Sequence, residues 1–470
     1  MNQTRTSALI TLISVFFFWG FVAASNDILI PVFKEKLHLQ QWQGQMISLA
    51  FYVAYTVGSL LYFVLSRLTG GDILNRLGYK NGIALGLVIS ALGTLLFYPA
   101  AETSSFPVFI SGLFIVGLGF SLQQTAANPL AINLGDPRKG AQRLSLAGGI
   151  NNIGTTIGPV IVSYAIFGGL APGAHLESLQ SVRFPYLCLG AAFLIVALFF
   201  KFSSLPNQLQ TENEAERESA GPLGALRFPQ LWMGMAAIFV YVGVEVATAS
   251  NLPEFLKQHA GIATDGVAPY VSLFWASLMI GRWTSAVGAF NLSKNLQTLF
   301  NIALPYAAFG VFLLANYLGQ HDLKPFYLYA AVIPVIIAAN FLSKKDPALQ
   351  LLLFSVLGIV ALFIGMITDG LVSAYAFISV GLFCSTLWPC IFTLAIAGLG
   401  KQTTNGSSML IMMIMGGGLI STLQGYLADP AFLGIQWSYL VGVVCFAYLA
   451  YYGLAVKKLL QKQGIRYENE

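Results

Sequence analysis

Charge is what this sequence has least of. Only 9% of its 470 residues are Asp, Glu, Lys or Arg, against roughly 25% in soluble domains, while 56% are hydrophobic. That excludes a water-soluble globular domain, and the mean hydropathy of +0.73 places the chain in a lipid bilayer. Cysteine is also scarce. Cys188, Cys384, Cys390 and Cys445 lie in apolar runs without metal or redox spacing, and read as buried packing residues. His38, His175, His259 and His321 are scattered over separate expected external loops, again without ligand spacing. No phosphate-binding loop, metal-ligand cluster or nucleophile–base pair is present, which argues against an enzyme and against a metal or other cofactor. The 24 basic residues stand singly in loops, so the pI near 8.9 follows from membrane topology and not from nucleic-acid binding.

About 20 apolar residues cross a bilayer as a helix. Apolar runs between polar breaks give about fourteen expected spans. Six lie near 8–32, 44–66, 81–101, 106–133, 144–169 and 184–202. Eight more lie near 229–256, 267–290, 298–318, 325–342, 348–368, 371–398, 405–428 and 434–456. The first run lacks a small-residue cleavage site and reads as a retained helix. Only Ser203–Pro229 is long and polar, and it reads as a solvated linker. With the N-terminus inside, eighteen of the 24 basic residues fall in internal loops and tails, five in external loops, and Arg282 in a span. The excess of positive charge inside places both termini in the cytoplasm.

Two sequence echoes suggest a repeat. "ASNDILIPVF" in the first span is similar to "ASNLPEF" in the seventh, and "GLFIVGLGF…NPLAI" in the fourth to "GLFCSTLWPCIFTLAI" from Gly381. Their matching order supports a six-plus-six plan, with the substrate site at the interface of the repeats. The surplus pair, 298–318 and 325–342, is bracketed by "NLSKN" and "FLSKKD". An even number of inserted helices leaves downstream topology unchanged, so a peripheral hairpin at about 295–344 is expected. The organisation is therefore 1–202 as a six-helix bundle, 203–228 as a cytoplasmic linker, and 229–470 as a second bundle carrying the hairpin.

Of the nineteen acids, only Asp27 and Glu245 stand well inside spans. An intramembrane carboxylate costs at least ~2.5–3.5 kcal/mol on insertion scales, so both are candidate ion-coupling residues. At 1.5 Å per residue they lie ~28 and ~24 Å from the cytoplasmic ends of their helices, and Arg282 only ~12 Å from the end of its own. Arg282 is therefore expected not to reach Glu245 and to serve a structural pair or to snorkel. Gln124 and Asn128 share a face of the fourth span, and Asn151, Asn152, Thr155 and Thr156 form a polar stripe on the fifth. Amides offer donors and acceptors to sugar hydroxyls without carrying charge, and Trp388 suits the C–H face of a hexose. The echo adds Asn26 and Asn251. Interhelical hydrogen bonding is the competing reading for these amides. Pro129, Pro159, Pro253 and Pro389 are candidate sites of helix bending.

"SNDILIP" (25–31), "QTAANPL" (124–130) and "GSSMLIMMIMGGGLISTLQGYLAD" (406–429) resemble the fucose:proton symporter family of the major facilitator superfamily. "YVGVEVA" (241–247) and "WPCIFTLAI" (388–396) resemble its glucose/galactose-transporting branch, and "GGDILNRLGYKNG" (70–82) the superfamily's helix 2–3 loop, with Asn75 where an acid is usual. The resemblance covers all but the insertion. It implies an all-α major facilitator fold of two six-helix bundles, here with two extra helices. It also implies that Asp27 matches the family's helix-1 coupling acid and Asn151 a sugar-contacting asparagine. Gln124 stands in the place of a helix-4 glutamate and Gly148 in that of a sugar-holding glutamine. These departures argue against fucose as the substrate and against a copied two-acid proton relay.

The expectation is a monomeric, multi-pass protein of the bacterial inner membrane whose partners are a small-molecule sugar and the lipid bilayer, with no nucleic acid. It imports a neutral monosaccharide, a hexose such as glucose, galactose or mannose, by proton-coupled symport through alternating access. Sodium coupling is the nearest alternative, because Asp27, Gln124 and Asn128 offer oxygen ligands. Export of lipophilic compounds is a further one, disfavoured by the amides.

Overall fold

In the computed structural model, residues 6–36, 41–69, 73–167, 183–207, 222–262, 266–290 and 292–467 are described. Side chains within 23–36, 41–49, 159–167 and 183–185, and those of residues 6, 67, 75, 137, 222 and 223, lie outside the description. Among the described residues fourteen long helical segments follow one another, with a short helix, Ile73–Leu77, between the second and the third. The first six are α1 (Thr6–Lys36), α2 (Gln41–Leu68), α3 (Tyr79–Thr103), α4 (Phe106–Asn133), α5 (Gly140–Phe167) and α6 (Arg183–Phe202). Then come α7 (Pro229–His259), α8 (Ala268–Ala286), α9 (Lys294–Leu318), α10 (Lys324–Leu342), α11 (Pro347–Ile367), α12 (Gly370–Ile396), α13 (Gly400–Leu427) and α14 (Gly434–Lys462). Every expected span coincides with one of them.

Nine of these are long and apolar enough to cross a membrane among the described residues, and shorter apolar stretches lie in α1, α2 and α6. The helices left over are α5 and α8. They pack on each other, so their polar faces meet protein instead of lipid.

The packing pattern repeats. In the first set α1 lies on α5, α3 on α4 and α6, and α2 on α4. In the second set α7 lies on α13, α11 on α12 and α14, and α8 on α12. Skipping α9 and α10 makes the two lists equivalent, which is the relation the sequence echoes imply. The inserted pair packs mainly against α8, where Phe326 meets Tyr270 (ring centroids 4.8 Å) and Phe312 (5.5 Å). Only 28% of the apolar stretch of α9, and of α10, is buried, against 94% for α12. The hairpin is peripheral.

Small residues set the closest contacts. A Cβ on Gly154 would lie 2.2 Å from the Phe17 carbonyl oxygen, and one on Gly20 only 1.9 Å from that of Asn151. Backbone therefore touches backbone along the α1–α5 seam, as in other small-residue helix interfaces. At the end of α4, buried Arg143 donates to the carbonyls of Ala131 (2.9 Å), Ile132 and Asp136 (2.9 Å). The cation satisfies carbonyls that have no partner within the helix and complements its dipole. Of the cysteines, Cys384, Cys390 and Cys445 are buried as expected, but Cys188 is exposed on the outer face of α6. An apolar run alone does not tell lipid-facing from core-facing positions.

Two seams join the sets at the end of the molecule where α1 starts and α14 ends. Across α13, Tyr79 and Thr404 hydroxyls lie 2.5 Å apart, Ser407 Oγ donates to Thr125 O (3.2 Å), and Ser408 Oγ to Ser59 O (3.2 Å). The second seam is α5 on α8.

Candidate functional site

Asn26 and Asp27 lie in the long helix α1, and their side chains are outside the described residues. The other candidates, Asn251 apart, fall into three neighbouring groups.

The first is on α7 and α12. Glu245 and Tyr241 are one turn apart, which puts them on one face, and the Tyr241 hydroxyl donates to Glu245 Oε2. The Tyr241 ring lies against Trp388, with centroids 6.2 Å apart. Helix α12 is interrupted at Ser385 and Thr386, between helical stretches ending at Cys384 and starting at Leu387. The break precedes Pro389, whose ring and missing N–H disfavour a continuous helix there. It exposes the Ser385 carbonyl for use by a side chain.

That side chain is Arg282. Its Nε donates to Ser385 O (3.2 Å), and its Nη1 donates to Asn152 Oδ1 (2.8 Å) and Gly148 O (3.4 Å). The cation thus ties α8 to α12 within one set and to α5 of the other. A Cβ on Gly148 would lie 3.1 Å from Arg282 Cδ, and one on Gly149 2.7 Å from Trp283. The two glycines leave the room that the Arg282 and Trp283 side chains occupy, so a glutamine at 148 would contend with the guanidinium. The expected structural pair is present: the guanidinium is held by Ser385, Asn152 and Gly148, and it makes no ion pair with Glu245 among the described residues.

The third group lines α1, α2 and α4. Half-buried Gln124 donates from Nε2 to Tyr55 Oη (2.9 Å). Asn151 on α5 donates to Phe16 O (2.9 Å), one turn before Trp19 on α1. Trp19 Nε1 donates to Gln123 Oε1 (2.6 Å), and Gln123 donates onward to Ser90 (3.0 Å). Asn128 is 1% exposed, and its Nδ2 has no partner among the described residues. The second polar atom of Gln124 and of Asn151 likewise has no protein partner among the described residues, which leaves it available to a ligand hydroxyl.

Asn251 is the candidate that joins none of these groups. It donates to Ala247 O (2.8 Å) of its own helix, nearly two turns beyond Glu245. Sequence reasoning missed Trp19, Tyr55 and Gln123. A signal was present in "SLQQT", since adjacent glutamines on a helix point ~100° apart and cannot serve one cavity. Gln123 proves to be the one turned toward α1 and α3.

The arrangement offers amides, an indole face and a paired acid, with a cation between the helix sets. It is suited to holding an uncharged polyhydroxylated molecule and to sensing an added cation. The family model described as Major Facilitator Superfamily matches residues 9–343. The chain is 32% identical over 453 residues to the glucose/galactose transporter of Brucella abortus biovar 1 (strain 9-941), covering 96% of this chain and 94% of that one. It is 29% identical over 456 residues to the L-fucose-proton symporter of Escherichia coli (strain K12), covering 93% and 90%. A crystal structure of the major facilitator transporter FucP in the outward conformation superposes with a TM-score of 0.72 at 27% identity, covering 95% of this chain and 98% of that one.

Proposed function

The chain belongs to the major facilitator superfamily, and from that membership we propose that it imports a neutral hexose together with a cation. Its relatives are transporters, so it is a transporter and not an enzyme. The observation that carries the hexose reading is the similarity over 96% of the chain to a glucose/galactose transporter. Supporting it are the half-buried amides Gln124 and Asn151 and the Trp388 ring. Asn26, Asn128, Asn152 and Asn251 complete the proposed sugar-facing set. Asp27 and Glu245 are assigned to ion coupling, with the proton as first choice. Sodium is the second reading, favoured by the amide Gln124 in the place of the family's glutamate.

In this reading residues 1–202 and 229–470 are the two moving bodies. The linker 203–228 and both termini are cytoplasmic, and a single chain in the bacterial inner membrane forms the whole path. The seams of α13 and α5–α8 then close the cytoplasmic side, the state that receives sugar from outside. Alternating access requires both to open. No step needs a cofactor.

The test is uptake of labelled glucose, galactose and mannose into proteoliposomes under separately imposed proton and sodium gradients. Accumulation of none of them under either gradient would sink the proposal. At the level of residues, Gln124→Ala and Asn151→Ala should each weaken sugar binding about 2- to 12-fold, the loss of one hydrogen bond of ~0.5–1.5 kcal/mol. Binding titrations on the purified variants measure this. Unchanged affinity in both, at normal expression, would make these amides packing residues.

A further inference from the structure

We propose that the cleft at the base of the α9–α10 hairpin binds a phosphate ester that carries hydroxyl groups, either a soluble sugar phosphate or the headgroup of an anionic phospholipid. The cleft measures about 590 Å³ and lies at the end of the molecule where α5 starts and α8 ends. Its walls come from the start of α5, the end of α8, both helices of the hairpin, and parts of α11 and α14.

Three ammonium groups line it, those of Lys344, Lys345 and Lys457, against a single carboxylate, Asp346. That carboxylate is already engaged. Its Oδ2 pairs with Lys457 at 2.8 Å, and its Oδ1 caps α11 by accepting from the N–H groups of Ala348 (2.9 Å) and Leu349 (3.3 Å). Lys345 donates to the neutral Gln297 Oε1 (3.0 Å), and Lys344 has no partner among the described residues. Two positive charges therefore face the cleft without a counter-ion. Burial and the nearby Lys139 both push the Lys345 ammonium below its ordinary range, as happens where cations gather without an anion.

The backbone gives a second sign. Lys344 and Lys345 occupy successive left-handed conformations, φ 50° and 63°. Residues with side chains rarely adopt this region, and such strain concentrates at ligand clamps.

The third sign selects the ligand. Gln142, on α5, is 4% exposed; its Nε2 donates to Lys345 O (3.4 Å), but its Oε1 has no partner among the described residues. A buried carbonyl oxygen needs a donor, which an ionised phosphate does not provide and a hydroxyl does. Asn301 and Asn340 extend the same amide lining. Lysines for phosphate beside amides for hydroxyls describe a hydroxylated phosphate ester. Because Gln142 belongs to the first helix set and the lysines to the second, the bound ester bridges the two. It favours the arrangement in which the α5–α8 seam is closed, through its differential affinity for that state.

The test uses the full-length protein in phosphatidylcholine nanodiscs, titrated calorimetrically with glucose 6-phosphate. A parallel arm measures retention of phosphatidylglycerol by native mass spectrometry. Saturable binding in the first arm identifies a soluble ester and in the second a lipid, and either supports the site. In the arm that binds, Lys344→Gln/Lys345→Gln should lower affinity by about tenfold or more, the effect of losing charge-assisted bonds. Gln142→Ala should weaken the ester's binding but not that of inorganic phosphate. Sugar uptake without the ester should stay at the parental level in the double lysine variant. No saturable binding in either arm, or binding indifferent to both lysines, overturns the proposal.

Discussion

Asp27→Asn is expected to abolish gradient-driven accumulation of sugar while leaving sugar binding and counterflow measurable. The position explains why. Gly20 marks where α1 touches the backbone of Asn151 on α5, and Asp27 lies seven residues further, ~10 Å along the helix. A carboxylate there costs several kcal/mol in hydrocarbon. The cost is tolerable where the cavity hydrates it or where a proton or metal cation neutralises it on closure. A cation drives the cycle only if it binds one state better than the other. Asparagine keeps the shape and the hydrogen bonding but cannot gain or lose charge, so transport should continue downhill only. Glu245→Gln should give a milder defect, since Glu245 already accepts a hydrogen bond from the Tyr241 hydroxyl. Parental accumulation by Asp27→Asn under either gradient would make Asp27 a structural acid.

Gly154→Ala is expected to cost about 1–3 kcal/mol of stability, the range for overpacking a close-packed site, and most of the transport activity. The added methyl would lie 2.2 Å from the Phe17 carbonyl oxygen, and that atom is backbone, so no side chain can swing aside. Helix α1 must then move away from α5, separating the element that carries Asp27 from the one that carries Asn151 and Asn152. Gly310→Ala, on α9, is the matched control, because a Cβ there meets nothing within 4 Å. Thermal unfolding in detergent and uptake in proteoliposomes read both effects. Equal stability and equal uptake in the two variants would remove the α1–α5 contact from the account.

Much of this architecture is legible in the sequence for a simple reason. A helix in lipid must be apolar for about 20 residues whatever its neighbours, so span positions survive without knowledge of packing. The same logic exposes the hairpin, whose basic brackets at Lys294 and at Lys344 and Lys345 mark its base. Helices α5 and α8 were read from apolar runs as well, although Asn151, Asn152, Thr155 and Thr156 on one and Arg282 on the other interrupt those runs.

The site was less legible. Sequence gives depth along one helix, while hydrogen-bond partners depend on which face meets which neighbour. Gln124 was found because amides inside a span are conspicuous, but its partner Tyr55 was not, since a tyrosine in a span reads as core. Arg282 was read as a member of a structural pair, but its partners Ser385 and Asn152 could not be named without knowing which helices face it. Gly148 read as a missing sugar contact, whereas its lack of a side chain leaves space beside the guanidinium that tethers Asn152.

The central claim, that sugar and cation cross together, is tested most directly by a pH electrode in lightly buffered medium around proteoliposomes held at zero membrane potential. Adding the transported hexose should produce an immediate alkalinisation as protons enter with it, abolished by a protonophore and absent with Asp27→Asn. Robust sugar entry with no movement of protons, and no dependence on sodium, would contradict the account.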